Sequence, residues 1–358
     1  MRIAEVRAWS QAVALKRPYT IATRTIDSVE LFYVELRDDA GRVGLGSASP
    51  APGVTGETRE ACGEALADDR LRWLVGVDPR HLGAHTRRVG DGMAATPAAR
   101  AAVDMALWDL FGRVLDTPVV DLLGARCREP LPTSITVGIK STEEALAETR
   151  EYLDLGFRCL KIKVGLDLEG DIDRLTQLRR LAGPDVLIRV DGNQGYTFDD
   201  YQRFVDAAAA LHLELVEQPL PRGEEAALRR LPGSLRRSIA ADESLHGETD
   251  ALGLVEPPAA CGIFNIKLMK CGGITPARGI ATIAEAAGVE LMWGCMDESV
   301  ISIAAALHAA YACPTTRYLD LDGSFDLARD LAAGGFVLDG GRLLIPEAPG
   351  LGVTLQPS

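Results

Sequence analysis

Positive charge is in short supply in this chain. Its 358 residues carry 38 Lys and Arg against 51 Asp and Glu, a formal net charge of −13. That deficit argues against nucleic acid or an anionic membrane surface as a partner. An anionic substrate would need a local patch of positive charge. Long apolar runs are missing as well. No stretch approaches the ~18 apolar residues of a membrane span, and the N-terminus, MRIAEVRAWSQAVAL, has no apolar signal core. The seven cysteines, Cys62, Cys127, Cys159, Cys261, Cys271, Cys295 and Cys313, are scattered and contain no C-x-x-C pair. This excludes a disulfide framework or a zinc ribbon and fits reduced thiols, so a cytoplasmic location is expected. Histidine is scarce. His81, His85, His212, His246 and His308 are spread over cap, loop and helix patterns, and each reads as structural or solvated. A Gly-rich nucleotide loop is also absent. Gly41, Gly44 and Gly46 in DAGRVGLGSA lie between two strand-like runs with no helix following, which reads as a hairpin turn.

What is present is a repeat. Composition is that of an ordinary globular protein, 47% hydrophobic and 25% charged. From residue 131 onward come TSITVGI (133–139), CLKIKVG (159–165), VLIRVDGN (186–193) and LELVEQP (213–219). SIAADES (238–244), IFNIKLM (263–269), VELMWGC (289–295) and TRYLDLDG (316–323) follow. Their spacing of about 25 to 30 residues is that of a βα unit. Eight strands with helical patterns between them predict a parallel barrel rather than an open doubly wound sheet, whose phosphate turn is lacking. The first 130 residues differ, with strands expected at 2–14, 29–37 and 42–48 and helices at 57–76 and 97–114. The expected division is an α+β capping domain at 1–128, a barrel at 129–325 and a segment at 326–358 that returns to the cap.

Chemistry in such barrels sits at the C-terminal ends of the strands. Those positions hold Lys161 and Lys163 on the second strand, Asp191 on the third, Glu217 on the fourth and Asp242 on the fifth. Lys267 ends the sixth, and Asp320 with Asp322 the eighth. One charged residue in a barrel mouth usually means a satisfied ion pair; so many converging together point to a site. Asp191, Glu217 and Asp242 form an all-oxygen set on consecutive strands, which suits Mg²⁺ or Mn²⁺ and not zinc. A divalent ion holding a substrate carboxylate would stabilise the charge left when an α-proton departs.

Alternation along a strand aims Lys161 and Lys163 the same way. A lysine can take a proton only when neutral, so its pKa of about 10.4 must fall to ~7–8. Two ammonium groups about 6 Å apart repel by ~2.8 kcal/mol at an effective dielectric near 20. Lys161 is therefore expected to help make Lys163 a base, with metal charge and burial supplying the rest. Lys267 comes from the far side of the barrel axis. An amine on each face of a planar enediolate is what 1,1-proton transfer requires, whereas a dehydratase or cycloisomerase can manage with one. Lys270, three residues further on, reads as a solvated loop lysine.

These residues carry a resemblance to the enolase superfamily, muconate-lactonizing-enzyme subgroup, whose members pair a Lys or His base with Mg²⁺. K-I-K at 161–163, V-D-G-N-Q-G, V-E-Q-P, A-D-E-S and N-I-K-L-M-K-C-G-G-I look like that subgroup's motifs. The resemblance covers essentially the whole chain and implies a (β/α)7β TIM-like barrel with an N-terminal α+β cap completed by the C-terminal segment. It implies one Mg²⁺ per subunit, Mn²⁺ being an alternative, on Asp191, Glu217 and Asp242, with Lys163 and Lys267 as bases and Lys161 in support. L-D-L-D-G at 319–323 looks like the D-x-D motif of dipeptide epimerases of the L-Ala-D/L-Glu type, in which Asp320 and Asp322 would hold a substrate's α-ammonium. P-Y-T-I-A-T-R-T at 18–25 matches the loop that would offer Arg24 to a side-chain carboxylate, and A-P-G-V-T-G-E at 51–57, with Thr55, would also cover the site. Asp297 and Glu298 at the end of the seventh strand pull the other way: facing the pocket, they would favour a basic side chain. The expectation is a Mg²⁺-dependent dipeptide epimerase, a homo-oligomer acting on L-Ala-D/L-Glu or a similar dipeptide. An N-acylamino acid racemase or cycloisomerase, or a catalytically silent paralogue, would share much of this pattern.

Overall fold

The computed structural model describes residues 1–21, 24–124, 126 and 129–357, with residues 19–21, 24 and 25 described in their backbone only. The chain starts with an antiparallel ribbon, β1 (Ile3–Ile21) and β2 (Arg24–Asp38), to which β3 (Val43–Ala48) adds. This ribbon is longer than the expected strands at 2–14 and 29–37. Its extension finds backbone partners elsewhere in the molecule: Lys16 N donates to Asp326 O at 2.7 Å and Ala328 N to Ala14 O at 2.9 Å.

Gly41, with φ of +83°, makes the turn between β2 and β3, so the glycine cluster is the expected hairpin. Gly44 and Gly46 serve a different purpose. A Cβ on Gly46 would stand 1.8 Å from the carbonyl oxygen of Ala102, and one on Gly44 2.3 Å from that of Ala106. Helix Pro97–Val114 therefore lies almost backbone to backbone on β3. Pro97 opens it in the first turn, where a missing N–H costs nothing. The single helix expected at 57–76 is instead broken into Arg59–Ala65, Asp68–Leu71 and a 3₁₀ turn at Arg72–Leu74. Helix Leu82–Gly92 was not anticipated.

The barrel strands are β4 (Ile135–Val137), β5 (Cys159–Lys163), β6 (Leu187–Asp191) and β7 (Val216–Glu217), then β8 (Ile239–Ala241), β9 (Ile263–Ile266), β10 (Glu290–Gly294) and β11 (Thr316–Asp320). Each pairs in parallel with the next in sequence. A parallel bridge from Thr133 to Leu319 closes the ring. The fold is thus α/β, a TIM-like barrel with an α+β cap. Leu215, Ala240, Ile263 and Met292 fill the interior as a small apolar cluster, with Tyr318 packed against it.

After β11 the chain forms β12 (Ala332–Gly334), β13 (Val337–Asp339), β14 (Arg342–Leu344) and β15 (Val353–Leu355), pairing as β12–β15 and β13–β14. This segment also meets the cap helix: Leu351 N donates to Asp109 Oδ1 at 2.7 Å.

Candidate active site

Strand alternation delivers the charged residues to one end of the barrel. Lys161 and Lys163 share a face of β5, and Lys163 stands in register with Asp191 at the end of β6. Asp191 is in turn in register with Glu217 at the end of β7. Asp242 follows β8 directly, and Lys267 follows β9. β5 and β9 are separated by three strands whichever way round the ring one counts, so the two lysines rise from opposite walls. The way round that carries the three carboxylates runs through β6, β7 and β8.

The loops leaving these strands are shaped by backbone geometry. Gly165, with φ of +108°, lets the turn after β5 touch the turn after β6; a Cβ there would stand 2.5 Å from Gly192 O. Asn193 and Gln194 adopt φ of 40° and 67°, which folds D-G-N-Q-G back so that Asn193 N donates to Asp191 Oδ1 at 2.9 Å. Gln218 accepts from Asp242 N at 3.0 Å and from Ser244 N at 3.2 Å, tying the fourth strand's end to the fifth's.

The charges are tightly interleaved. Lys163 Nζ donates to Asp191 Oδ2 at 2.6 Å. Lys161 Nζ lies 3.7 Å from the same oxygen and 3.5 Å from Glu217 Oε2, and donates to Asp320 Oδ2. Lys267 Nζ donates to Asp242 Oδ2 at 2.7 Å. Burial alone would lower the Lys161 ammonium, but Asp320, Glu217 and Asp191 together hold it well above the ordinary lysine range. Lys267 is likewise raised, because Asp242 and Glu217 outweigh its burial. This corrects the expectation of two bare ammonium groups repelling each other. Asp191 stands against both β5 lysines and offsets the repulsion at the point where it was to act.

The carboxylates divide by their partners. Asp242 is held well below the usual range: burial opposes ionisation, but Lys267 and Lys270 win. Glu217 is pushed up to about 8 by burial and by Asp191, with Lys161 opposing. Its Oε1 accepts from Asn265 Nδ2 at 2.7 Å, while its buried Oε2 has no hydrogen bond. Among the described residues, no three acidic, His or Cys side chains are already gathered as a metal cage. Lysine ammonium groups stand against the carboxylate oxygens instead.

Several residues were missed or misread from sequence. Lys270 is no solvated lysine: it is 3% exposed and donates to Asp242 Oδ1 and to the Asp242 carbonyl. A short helical turn, Leu268–Cys271, follows β9 at once and swings position 270 back over the barrel. Glu243 has a buried oxygen, Oε2, without a hydrogen bond, and its carboxyl is pushed up to about 6 by burial, Asp242 and Asp191. Asn265, two residues before Lys267, could have been found by the same alternation that picked out Lys161 and Lys163.

The expected specificity residues fare unevenly. Asp320 is turned to Lys161 and accepts from Ser134 Oγ at 2.6 Å; Asp322 Oδ2 accepts from Thr136 N at 2.8 Å. Glu298 is buried, accepts from Met296 N at 2.9 Å and is pushed up to about 7 by burial. Asp297 is half-buried, and its carbonyl accepts from Ser49 Oγ of the cap at 2.8 Å. Thr55 holds the 51–57 loop together, its Oγ1 accepting from Ala51 N at 3.1 Å and Glu57 N at 3.2 Å. The loop meets the barrel where His246 Nε2 and Val54 O lie 3.0 Å apart. Arg24 lies outside the residues whose side chains are described; its backbone opens β2 opposite Ile21.

Comparison with known proteins bears on this arrangement. Residues 3–124 match the mandelate racemase / muconate lactonizing enzyme N-terminal domain, and residues 144–358 the enolase C-terminal domain-like family. The chain belongs to the mandelate racemase / muconate lactonizing enzyme family of the enolase superfamily. It is 56% identical over 354 residues, 99% of both chains, to the L-Lys-D/L-Arg epimerase of Methylococcus capsulatus. It is 36% identical over 344 residues, 96% of each, to an L-Ala-D/L-Glu epimerase of Clostridium acetobutylicum. The dipeptide epimerase of Methylococcus capsulatus complexed with Mg and L-Arg-D-Lys superposes with a TM-score of 0.97 at 56% identity, covering 99% of each chain. Family members of this kind are isomerases, and so is this chain. Among the described residues no helix is long and apolar enough to cross a membrane.

Proposed function

We propose that this family member is a Mg²⁺-dependent dipeptide epimerase that inverts the α-carbon of the dipeptide's C-terminal residue. The observation that carries the reading is the pair Lys163 and Lys267, rising from opposite walls with Asp191, Glu217 and Asp242 on the strands between. Either amine can take the α-proton from its own face while the ammonium opposite returns one, which inverts the centre. Lys161, pinned by three carboxylates, stays charged and balances the substrate's negative end.

The donor set fits a hard divalent cation. Asp191, Glu217, Asp242, Glu243, Asp320 and Asp322 face Lys161, Lys163, Lys267 and Lys270, six formal negative charges against four positive. Glu217 Oε2 is buried and accepts no hydrogen bond, its nearest ammonium being Lys161 at 3.5 Å, so a bound cation would complete its surroundings. Asp191, Glu217 and Asp242 would hold the ion. When bound it would supply positive charge to a substrate carboxylate and weaken the hold of nearby amines on their protons. Mn²⁺ would satisfy the same oxygens. Asp320 and Asp322 would take the substrate's α-ammonium, which separates this reading from an N-acylamino acid racemase.

The side-chain preference follows from charge. Asp326 is pushed up to about 7 by burial and by Asp322, Asp297 and Glu148, so four carboxylates feel one another beside the D-x-D segment. That favours a dipeptide with a basic side chain over the L-Ala-D/L-Glu type that Arg24 suggested, and agrees with the substrate named for the 56% identical relative. We take the cap as 1–128, the barrel as 129–325 and the return as 326–358, in a cytoplasmic homo-oligomer. The test is incubation with Mg²⁺ in D₂O of Lys/Arg dipeptides, L-Ala-L-Glu and N-succinyl amino acids, read by mass spectrometry. Deuterium entering the second residue of basic dipeptides is expected. Entry only into acylated substrates would make the chain a racemase, and entry into none would make it a silent paralogue.

A further inference from the structure

One charged side chain lies deep in the barrel where neither substrate nor ion would reach. Arg189 stands two residues before Asp191 on β6 and is 1% exposed. Its Nε donates to Glu214 Oε2 at 2.6 Å, and its Nη1 donates to Leu319 O at 2.6 Å and to Ser134 Oγ at 3.4 Å. Ser134, fully buried just ahead of β4, donates to Asp320 Oδ1 at 2.6 Å. Asp320 in turn receives Lys161 on its other oxygen. A continuous line therefore runs Glu214, Arg189, Ser134, Asp320, Lys161, along the seam where β4 and β11 close the ring.

The serine has one proton and two acceptors within reach, Asp320 Oδ1 at 2.6 Å and Leu319 O at 3.3 Å. Arg189 decides between them. Its Nη1 supplies the Leu319 carbonyl with a donor and occupies a lone pair of the serine oxygen, which leaves the hydroxyl proton for Asp320. A lysine has no fork with which to grip Glu214 and the seam at once. Stability alone gives a weak reason for an arginine here, since a buried ion pair commonly breaks even at best against an apolar side chain of similar volume.

We propose that Arg189 is a positioning residue which, through Ser134, fixes the carboxylate of Asp320 in the one orientation that serves both Lys161 and the substrate's α-ammonium. The second half of this statement rests on the reading of Asp320 given above. The test uses the full chain with Mg²⁺ and its best dipeptide, in the variants Ser134→Ala, Arg189→Met, Asp320→Asn and the double variant Ser134→Ala/Asp320→Asn. Ser134→Ala is expected to lower kcat/KM about tenfold, the effect of one lost hydrogen bond to a charged group. In the Asp320→Asn background the same change is expected to matter less than about twofold, because the two act as one unit. Arg189→Met is expected to match Ser134→Ala in kcat/KM, and also to melt earlier because Glu214 and the Leu319 carbonyl lose their donor.

Effects of Ser134→Ala and Asp320→Asn that simply multiply would overturn the proposal. So would an Arg189→Met or Ser134→Ala chain that melts earlier yet turns over normally. A crystal structure of Ser134→Ala gives the readout that needs no turnover: the Asp320 carboxylate is expected to rotate or split between conformers. An unmoved Asp320 contradicts the proposal even where kinetics are lacking. A parent chain inactive on every dipeptide would remove the functional reading alone and leave that crystallographic test standing.

Discussion

The two lysines that face each other across the barrel live in different surroundings. The side chain of Lys163 is 19% exposed and leans on one carboxylate, Asp191. That of Lys267 is 7% exposed, and its partner Asp242 is gripped on the other oxygen by Lys270. One wall of the site is therefore open and simply paired, the other closed and doubly braced. Equal roles in inverting a carbon do not require equal surroundings, and the difference should be visible in how each lysine trades its proton with water. The Lys163 side should exchange with solvent faster, giving more deuterium wash-in for the epimer whose proton it takes.

The largest effect that could break this comparison is loss of either amine. Lys163→Ala and Lys267→Ala should each cut epimerisation about a thousandfold or more, as expected for removal of an acid–base group, measured by chiral chromatography. Next comes the Glu217 oxygen that accepts no hydrogen bond. Glu217→Gln should weaken Mg²⁺ or Mn²⁺ binding by about tenfold or more in calorimetry, and a chelator should abolish turnover until Mg²⁺ is restored.

Stability separates the walls more finely. Lys270→Met leaves a buried carboxylate half-paired and should cost about 3 kcal/mol. Lys163→Met, on the open wall, should cost less by chemical denaturation, because Asp191 keeps Lys161 at 3.7 Å and Asn193 N at 2.9 Å. The smallest effect concerns Asp326, whose carboxyl sits at about 7 in the folded chain. An acid raised above its unfolded value holds its proton better when folded, so stability falls as pH rises toward that value. Asp326→Asn should therefore melt a few degrees above the parent near pH 8, with the gap closing near pH 4. It should also lower kcat/KM about threefold to tenfold for basic dipeptides and little for neutral ones.

Legibility followed the local rules. Period-two alternation was enough to bring Lys161, Lys163, Asp191, Glu217, Asp242 and Lys267 to one barrel mouth, because a buried strand leaves its side chains no other choice. The same rule failed three residues after Lys267, where a helical turn replaces the strand and carries Lys270 inward. Nor does alternation say which partner a charge will choose. Asp320 ends β11 as expected, yet its oxygens go to Lys161 and Ser134, partners far away in sequence. The cap was harder still. The expected helix at 57–76 breaks after Leu66, whereas Leu82–Gly92 holds together despite three glycines, its buried His85, Thr86 and Val89 packing inward. The loop carrying Thr55 takes its shape from contacts with Glu57 and His246 that no periodic pattern encodes.

Hydrogen exchange at the substrate's α-carbon in D₂O tests the central claim most directly, each lysine variant being offered each epimer of one dipeptide. If two amines work from opposite faces, the Lys163→Ala chain exchanges one epimer without inverting it, and the Lys267→Ala chain exchanges only the other. Exchange of the same epimer by both variants, or continued inversion by either, would contradict it.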